Sequence, residues 1–304
     1  MTFPCPRFAC QRTIPRFRKI GWLYGSVSTL FSIEGVLRMT LHLQLVFLFT
    51  FIIHLISTLA YALRIAGVRT GRIAVSFALF NVLILFSRTS NTFQAPLLAK
   101  HVERSILGGA AANIETDLRW MIVAASLATI VGMLLIPTFQ RLFTKAIESF
   151  GNYRSIPRLL LRVFTPSGLQ HIGEAASMPT RKNFSLLNFR LAPRKILLYN
   201  VVATSLLTVG VFASLYAGYL RPELRVTANN LSPVVNALST ILLYVFIDPY
   251  LSLLTDDVVA GRTSQAHFRK CVVLFASSRL VGTLLAQLLL VPAARIIGVI
   301  AGVL

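Results

Sequence analysis

The sequence predicts an all-α fold: a polytopic transmembrane helical bundle of six spans, with a weaker candidate for a seventh at the N-terminus. Three observations predict it. The 304 residues are 55% hydrophobic and only 13% charged, with a mean hydropathy of +0.72, well outside the range of an ordinary soluble domain. The apolar residues gather into runs of about 20, the length that crosses a bilayer as a helix. The charge is lopsided, 30 Lys+Arg against 10 Asp+Glu, and most basic residues lie between the runs. That placement fits membrane topology and anionic lipid headgroups as partners, and argues against nucleic acid. Cys5, Cys10 and Cys271 form no CxxC pair and no metal-ligand spacing.

The runs fall at about 41–66, 73–97, 119–140, 196–220, 231–254 and 271–292. The tail beyond them either continues the last span or lies separately, and Gly298 and Gly302 form a small-xxx-small step suited to helix–helix packing. Two inverted three-helix halves would suit a transporter, yet no repeat is visible in the residues. The segment from Arg141 to Lys195 carries ten basic residues against Glu148 and Glu174. Pro157, Pro166, Pro179 and Pro193 divide it, and Ile156 to Phe164 reads as a basic amphipathic piece lying on the membrane. By the positive-inside rule this loop is expected in the cytoplasm, together with Arg69, Arg72, Arg262, Arg269 and Lys270. The segment from Lys100 to Arg119 and the short turn from Arg221 to Asn230 then face the other side.

Residues 39–304 thus read as one membrane domain. Residues 1–38 form a basic extension, with Arg7, Arg12, Arg16, Arg18 and Lys19, that conflicts with the outside N-terminus of a six-span chain. Met39 is the expected natural start, with 1–38 contributed by an upstream start codon. The alternative is a weak span over 20–37 bearing Glu34. A secretory signal fits less well, for want of a small-residue cleavage site.

Polar residues inside the spans point to the cargo. In the first run His54, Thr58, Tyr61 and Arg64 share a helical face, and in the second Asn81, Arg88 and Asn91 do the same, with Gln94 nearby. The fifth run adds Asn236, Thr240, Tyr244 and Asp248, and the sixth adds Arg279 and Gln287. A charged side chain in mid-bilayer costs about 2.5–3.5 kcal/mol on insertion scales, so it normally faces a partner or a wet cavity. Arg88 and Arg279 lie deep, Arg64 and Arg295 nearer the ends, and Asp248 is the one acid at depth. One carboxylate neutralises one arginine, so an anion is expected to complete the site, and the planar guanidinium fork suits phosphate.

Plainer readings stand beside these. Arg88 and Asp248 could form a structural pair, Arg279 could sit in a helix–helix network with Ser277 and Ser278, and Arg64, Arg69 and Arg72 could be topology anchors. His54 is either an interhelical donor or a proton carrier. Asp256 and Asp257 fit a solvated helix end. No phosphate-binding loop, nucleophile elbow or paired-histidine metal motif is present, so neither cofactor nor metal is expected.

The residues also carry a family resemblance. IHLISTLAYA at 53–62, RIAGVRT at 64–70, RIA at 72–74, LFN at 79–81, SRTSN at 87–91 and QAPLL at 94–98 resemble the opening of the Amj family of bacterial lipid II flippases. Asp248-Pro249, Thr255 to Val258 and Gly261 continue it more loosely, and residues 1–38 lie outside it. The resemblance implies a six-span flippase, an alternative to the MurJ type. It would move undecaprenyl-pyrophosphate-linked peptidoglycan precursor from the inner to the outer leaflet of the bacterial cell membrane. It supplies no catalytic residues. Arg88, Arg279, Asn81, Asn91, Gln94 and Arg64 are therefore candidate substrate contacts on the charge argument, with Asp248 and His54 as charge partner or proton coupler. A membrane-embedded polyprenyl-phosphate phosphatase or transferase and a non-transporting scaffold are the alternatives, with Asp256, Asp257 and His267 as a faint catalytic cluster for the first.

Overall fold

The computed structural model describes residues 41–107, 113–153 and 193–304, and within them every regular element is helical. Six helices are long and apolar enough to cross a membrane. Spans 1 to 4 are Leu41–Thr70, Ile73–Leu107, Ile114–Tyr153 and Arg194–Leu220. Span 5 is Pro222–Val259 and span 6 is Gln265–Val303. The readings for residues 1–38 and for the amphipathic piece at 156–164 fall outside the described residues.

Most spans outrun the apolar runs that announced them, because polar residues at their ends keep helical propensity once the apolar core anchors the helix. Span 3 continues through Arg141 and Lys145 to Tyr153, more than three turns past the apolar run, at the end that leads into the basic loop. The segment from Arg221 to Asn230, expected as a turn, is helical from Pro222 onward: a 3-10 turn over Pro222–Leu224 leads into Arg225–Asn230. Proline at a first helical position removes only an N–H that has no intrahelical partner. The tail after residue 292 continues span 6 through Pro292. Gly298 and Gly302 there receive the Arg221 side chain, whose Nη1 donates to the Gly298 carbonyl at 3.3 Å, where close helix–helix packing was expected. Two tight turns close the basic-loop end. They rest on Gly71 (φ 68°) and Gly261 (φ 73°), a left-handed conformation that favours glycine.

The packing repeats between the two halves of the chain. Span 1 packs against both spans 2 and 3, and span 4 packs in the same way against spans 5 and 6. The halves meet chiefly where span 3 packs against span 6. Each half has three spans, so the second runs through the bundle in the opposite sense to the first. The same pattern of neighbours run in the opposite sense is what an inverted repeat requires, although no repeat is visible in the residues. Packing between spans relies on small residues. A Cβ on Gly282 of span 6 would lie 2.7 Å from the Val201 carbonyl oxygen of span 4.

At the end opposite the basic loop, polar side chains fasten the junction. Glu115 accepts from Arg119 Nη2 at 2.8 Å and from the Tyr216 hydroxyl at 2.9 Å. Arg119 and Gln287 each donate to the other's backbone carbonyl at 2.9 Å. His101 pairs with Asp117 at 2.8 Å, tying span 2 to span 3.

Candidate functional site

Spans 2 and 5 flank the bundle without extended contact between them, and a groove lies there. Its basic-end wall is an ion pair: Arg64 Nη2 of span 1 donates to Asp248 Oδ1 of span 5 at 2.7 Å. The same guanidinium lies over the Phe80 ring of span 2, 5.6 Å from its centroid. Asp248 is presented by a break in helical geometry. Pro249 cannot donate to Val245 and its ring would collide with that carbonyl, and the chain widens into a π-helical stretch over Leu242–Ile247. The Asp248 amide donates five residues back, to Leu243. Such π-bulges occur often at functional sites.

The opposite end of the groove is a cavity of about 130 Å³ between spans 2, 4 and 5, lined by Ala99, Val102, Glu103, Ile106, Arg225 and Asn229 among others. Helical phase connects the two ends. At 3.6 residues per turn, Arg88 sits about three turns before Ala99 and five before Ile106, on the same face. Asn81 lies about two turns before Arg88 and Asn91 just after it. All three are exposed. Helix rise places Arg88 about 22 Å from Ile73, near mid-span, about 12 Å beyond the Phe80 level and about 16 Å short of Ala99. Helical phase thus puts Arg88 on the face of span 2 that lines the cavity with Arg225, at a height between the Arg64 contact and that cavity. Among the described residues neither Arg88 nor Arg225 has a carboxylate within ion-pair distance.

Behind the groove floor lies a buried polar cluster. Arg279 is 6% exposed, and no carboxylate among the described residues pairs with it. Its Nε has no hydrogen-bond partner, and its electrostatic neighbours are Tyr61 and His54 of span 1. Tyr61 also lies within electrostatic reach of Arg64 and Asp248, so it connects this cluster to the ion pair. Asn200 of span 4 joins through Tyr61 and donates to Ser278 Oγ at 2.7 Å. His54 is buried, with Nδ1 unpartnered.

The family model described as Amj, alternate to MurJ, matches residues 49–301 of the chain. A Bacillus subtilis (strain 168) protein named lipid II flippase Amj is 36% identical over 256 residues, covering 84% of this chain and 95% of its own length. The chain belongs to the Amj family. No solved structure matches it.

In this Amj-family protein the residues singled out from sequence divide into three groups. Arg64 and Asp248 pair between spans 1 and 5, and Asn81, Arg88 and Asn91 are exposed on one side of span 2. Arg279 and His54 lie in the core. Gln94 is buried and bonds Thr50 Oγ1 of span 1 at 2.9 Å, so it fastens two helices instead of lying exposed with Asn91. Asp248 holds Arg64 where pairing with Arg88 was the plainer expectation. The faint catalytic cluster is otherwise engaged: Asp257 is held by Arg262 at 2.7 Å, and the His267 ring lies 3.5 Å from Cys271 Sγ. Sequence reading passed over Arg225, Asn229 and Asn230, which looked like a surface turn. It also passed over Asn200, although Asn200, Thr204 and Thr208 recur every four residues and mark a polar face on span 4.

Proposed function

We propose that this chain is a lipid II flippase of the bacterial cytoplasmic membrane. It carries undecaprenyl-pyrophosphate-linked peptidoglycan precursor from the inner to the outer leaflet along the groove between spans 2 and 5. The observation that carries this reading is Arg88, an exposed cation at mid-span with no carboxylate partner among the described residues. Lipid would not tolerate it there, whereas an anionic headgroup in the groove would complete it. The name of the Bacillus subtilis relative points to the same cargo.

On this reading the space between spans 2 and 5, which lack extended contact, is open to the surrounding lipid. The pyrophosphate and sugar move past the arginines while the polyprenyl tail stays in the surrounding lipid. Charge-assisted bonds from Arg64, Arg88 and then Arg225 take the phosphate oxygens in turn. Asn81 and Asn91 offer neutral hydrogen bonds between the cations. In the empty protein Asp248 occupies Arg64. An arriving pyrophosphate competes for the same fork, so loading shifts the equilibrium between a closed and an open basic end. Arg279 reaches the cargo only in a state where that pair has parted and Tyr61 has moved. His54 beside it is the candidate for proton coupling, and the protein acts as a transporter, without covalent chemistry.

The test is outer-leaflet accessibility of labelled lipid II in cells depleted of every other flippase. Cells with the wild-type chain should expose it, and cells with Arg88→Ala at equal protein level should not. Equal exposure with and without the wild-type chain would reject the function.

A further inference from the structure

A second basic feature lies outside the groove. At the basic-loop end, spans 1, 3 and 6 enclose a cleft of about 270 Å³ lined by Ile65, Val68, Arg69, Gln140, Gln265, Phe268 and Arg269. Arg69 stands in the last turn of span 1 and Arg269 near the start of span 6. Arg69 is five residues beyond Arg64, about 140° further round the helix, so it faces away from the Asp248 pair. Neither Arg69 nor Arg269 makes an ion pair or side-chain hydrogen bond among the described residues. The acid close by in sequence, Asp257, is held by Arg262. Among the described residues no carboxylate lines the cleft.

Arginines that only set topology have no reason to converge. These two come from helices far apart in sequence and share one cleft with two side-chain amides, although bringing like charges together is unfavourable. An anion relieves that repulsion, and two forks with two amides match the oxygen-rich surface of a phosphate. The height of the cleft, at the helix ends, is that of lipid headgroups. We infer that the cleft formed by Arg69, Gln140, Gln265 and Arg269 is a phosphate-headgroup site separate from the groove. The headgroup has two sources: an anionic phospholipid of the surrounding leaflet, or the pyrophosphate of the cargo before it enters the groove.

The full chain is placed in nanodiscs of phosphatidylcholine doped either with phosphatidylglycerol or with the polyprenyl-pyrophosphate cargo, and the retained lipid is counted by native mass spectrometry. The proteins compared are wild type, R69Q/R269Q, R69K/R269K and Arg88→Ala. Loss of both forks should weaken retention roughly 100-fold, about tenfold for each arginine. The lysine pair, which keeps charge without the fork, should fall between. Arg88→Ala should retain cleft lipid as wild type does. Retention of phosphatidylglycerol that R69Q/R269Q abolishes identifies a resident lipid. A bound cargo equivalent that is lost in R69Q/R269Q but kept by Arg88→Ala, with no retention of phosphatidylglycerol, identifies a loading site. Equal retention of both lipids by wild type and R69Q/R269Q overturns the inference. The flipping assay reads the groove, so failure of the groove reading would leave this binding difference in place.

Discussion

Asp248→Asn isolates the ion pair that closes the basic end of the groove. Asparagine keeps the shape of the side chain and the backbone N–H that bonds Leu243, so the π-helical stretch is retained while the charge is lost. The pair is neither exposed nor sealed: Arg64 and Asp248 side chains are 15% and 33% exposed. Surface pairs contribute about 0.2–1 kcal/mol, and breaking a buried pair costs about 3–5 kcal/mol. An intermediate figure of about 2 kcal/mol is appropriate here. If cargo and Asp248 compete for Arg64, removing the competitor returns that energy to cargo binding, tightening it by roughly 30-fold. Flipping should nevertheless slow, because the tightly held headgroup no longer meets a rival that helps it leave. The assay is binding of a polyprenyl-pyrophosphate probe to purified protein in nanodiscs, beside lipid II exposure in flippase-depleted cells. Unchanged or weaker probe binding by Asp248→Asn, with Arg64→Ala as the partner control, refutes the competition.

Three other outcomes follow from the same geometry. Arg88→Lys should lose most of the flipping that Arg88→Ala loses, since an ammonium keeps the charge without the two-pronged fork; the exposure assay reads both. Arg279→Met replaces a buried cation that has no carboxylate partner among the described residues with an apolar side chain of similar length, and should raise the thermal stability of the purified protein by about 1–4 kcal/mol while abolishing flipping. Gly282→Leu would drive a side chain against the Val201 carbonyl, which a Cβ alone already approaches to 2.7 Å. It should destabilise the packing of spans 4 and 6 by about 1–3 kcal/mol, seen as a lower melting temperature in detergent and less folded protein.

The bundle is legible in the residues because spanning a bilayer leaves a strong mark: about 20 apolar residues in a row. Helical phase is legible too, so the spacing of Asn81, Arg88 and Asn91 alone places them on one face. Phase does not say which face meets which. Arg64 and Arg88 are equally good partners for Asp248 on paper, and the choice depends on the height at which spans 1 and 5 cross. Gln94 shows the same limit, since three residues from Asn91 it turns inward to Thr50. Helix ends are hidden because polar residues such as Arg141 and Lys145 continue a helix without an apolar signal. Arg225 escapes notice because a proline and two asparagines beside it resemble a turn, while Pro222 in fact starts a helix there.

The repeated packing of the two halves has a consequence for direction. Halves that share a packing pattern and run in opposite senses offer each leaflet a related set of helix ends. Such an architecture supplies a passage but no preferred sense of travel. Whatever makes the passage one-way must be found where the halves differ. The plainest difference is electrical: arginines and lysines far outnumber acids at the basic-loop end, whereas at the other end Glu103, Glu115, Asp117 and Glu223 offset most of Lys100, Arg104, Arg119, Arg221 and Arg225. On the proposed function, a phosphate-bearing lipid would be drawn more strongly to the first end than to the second.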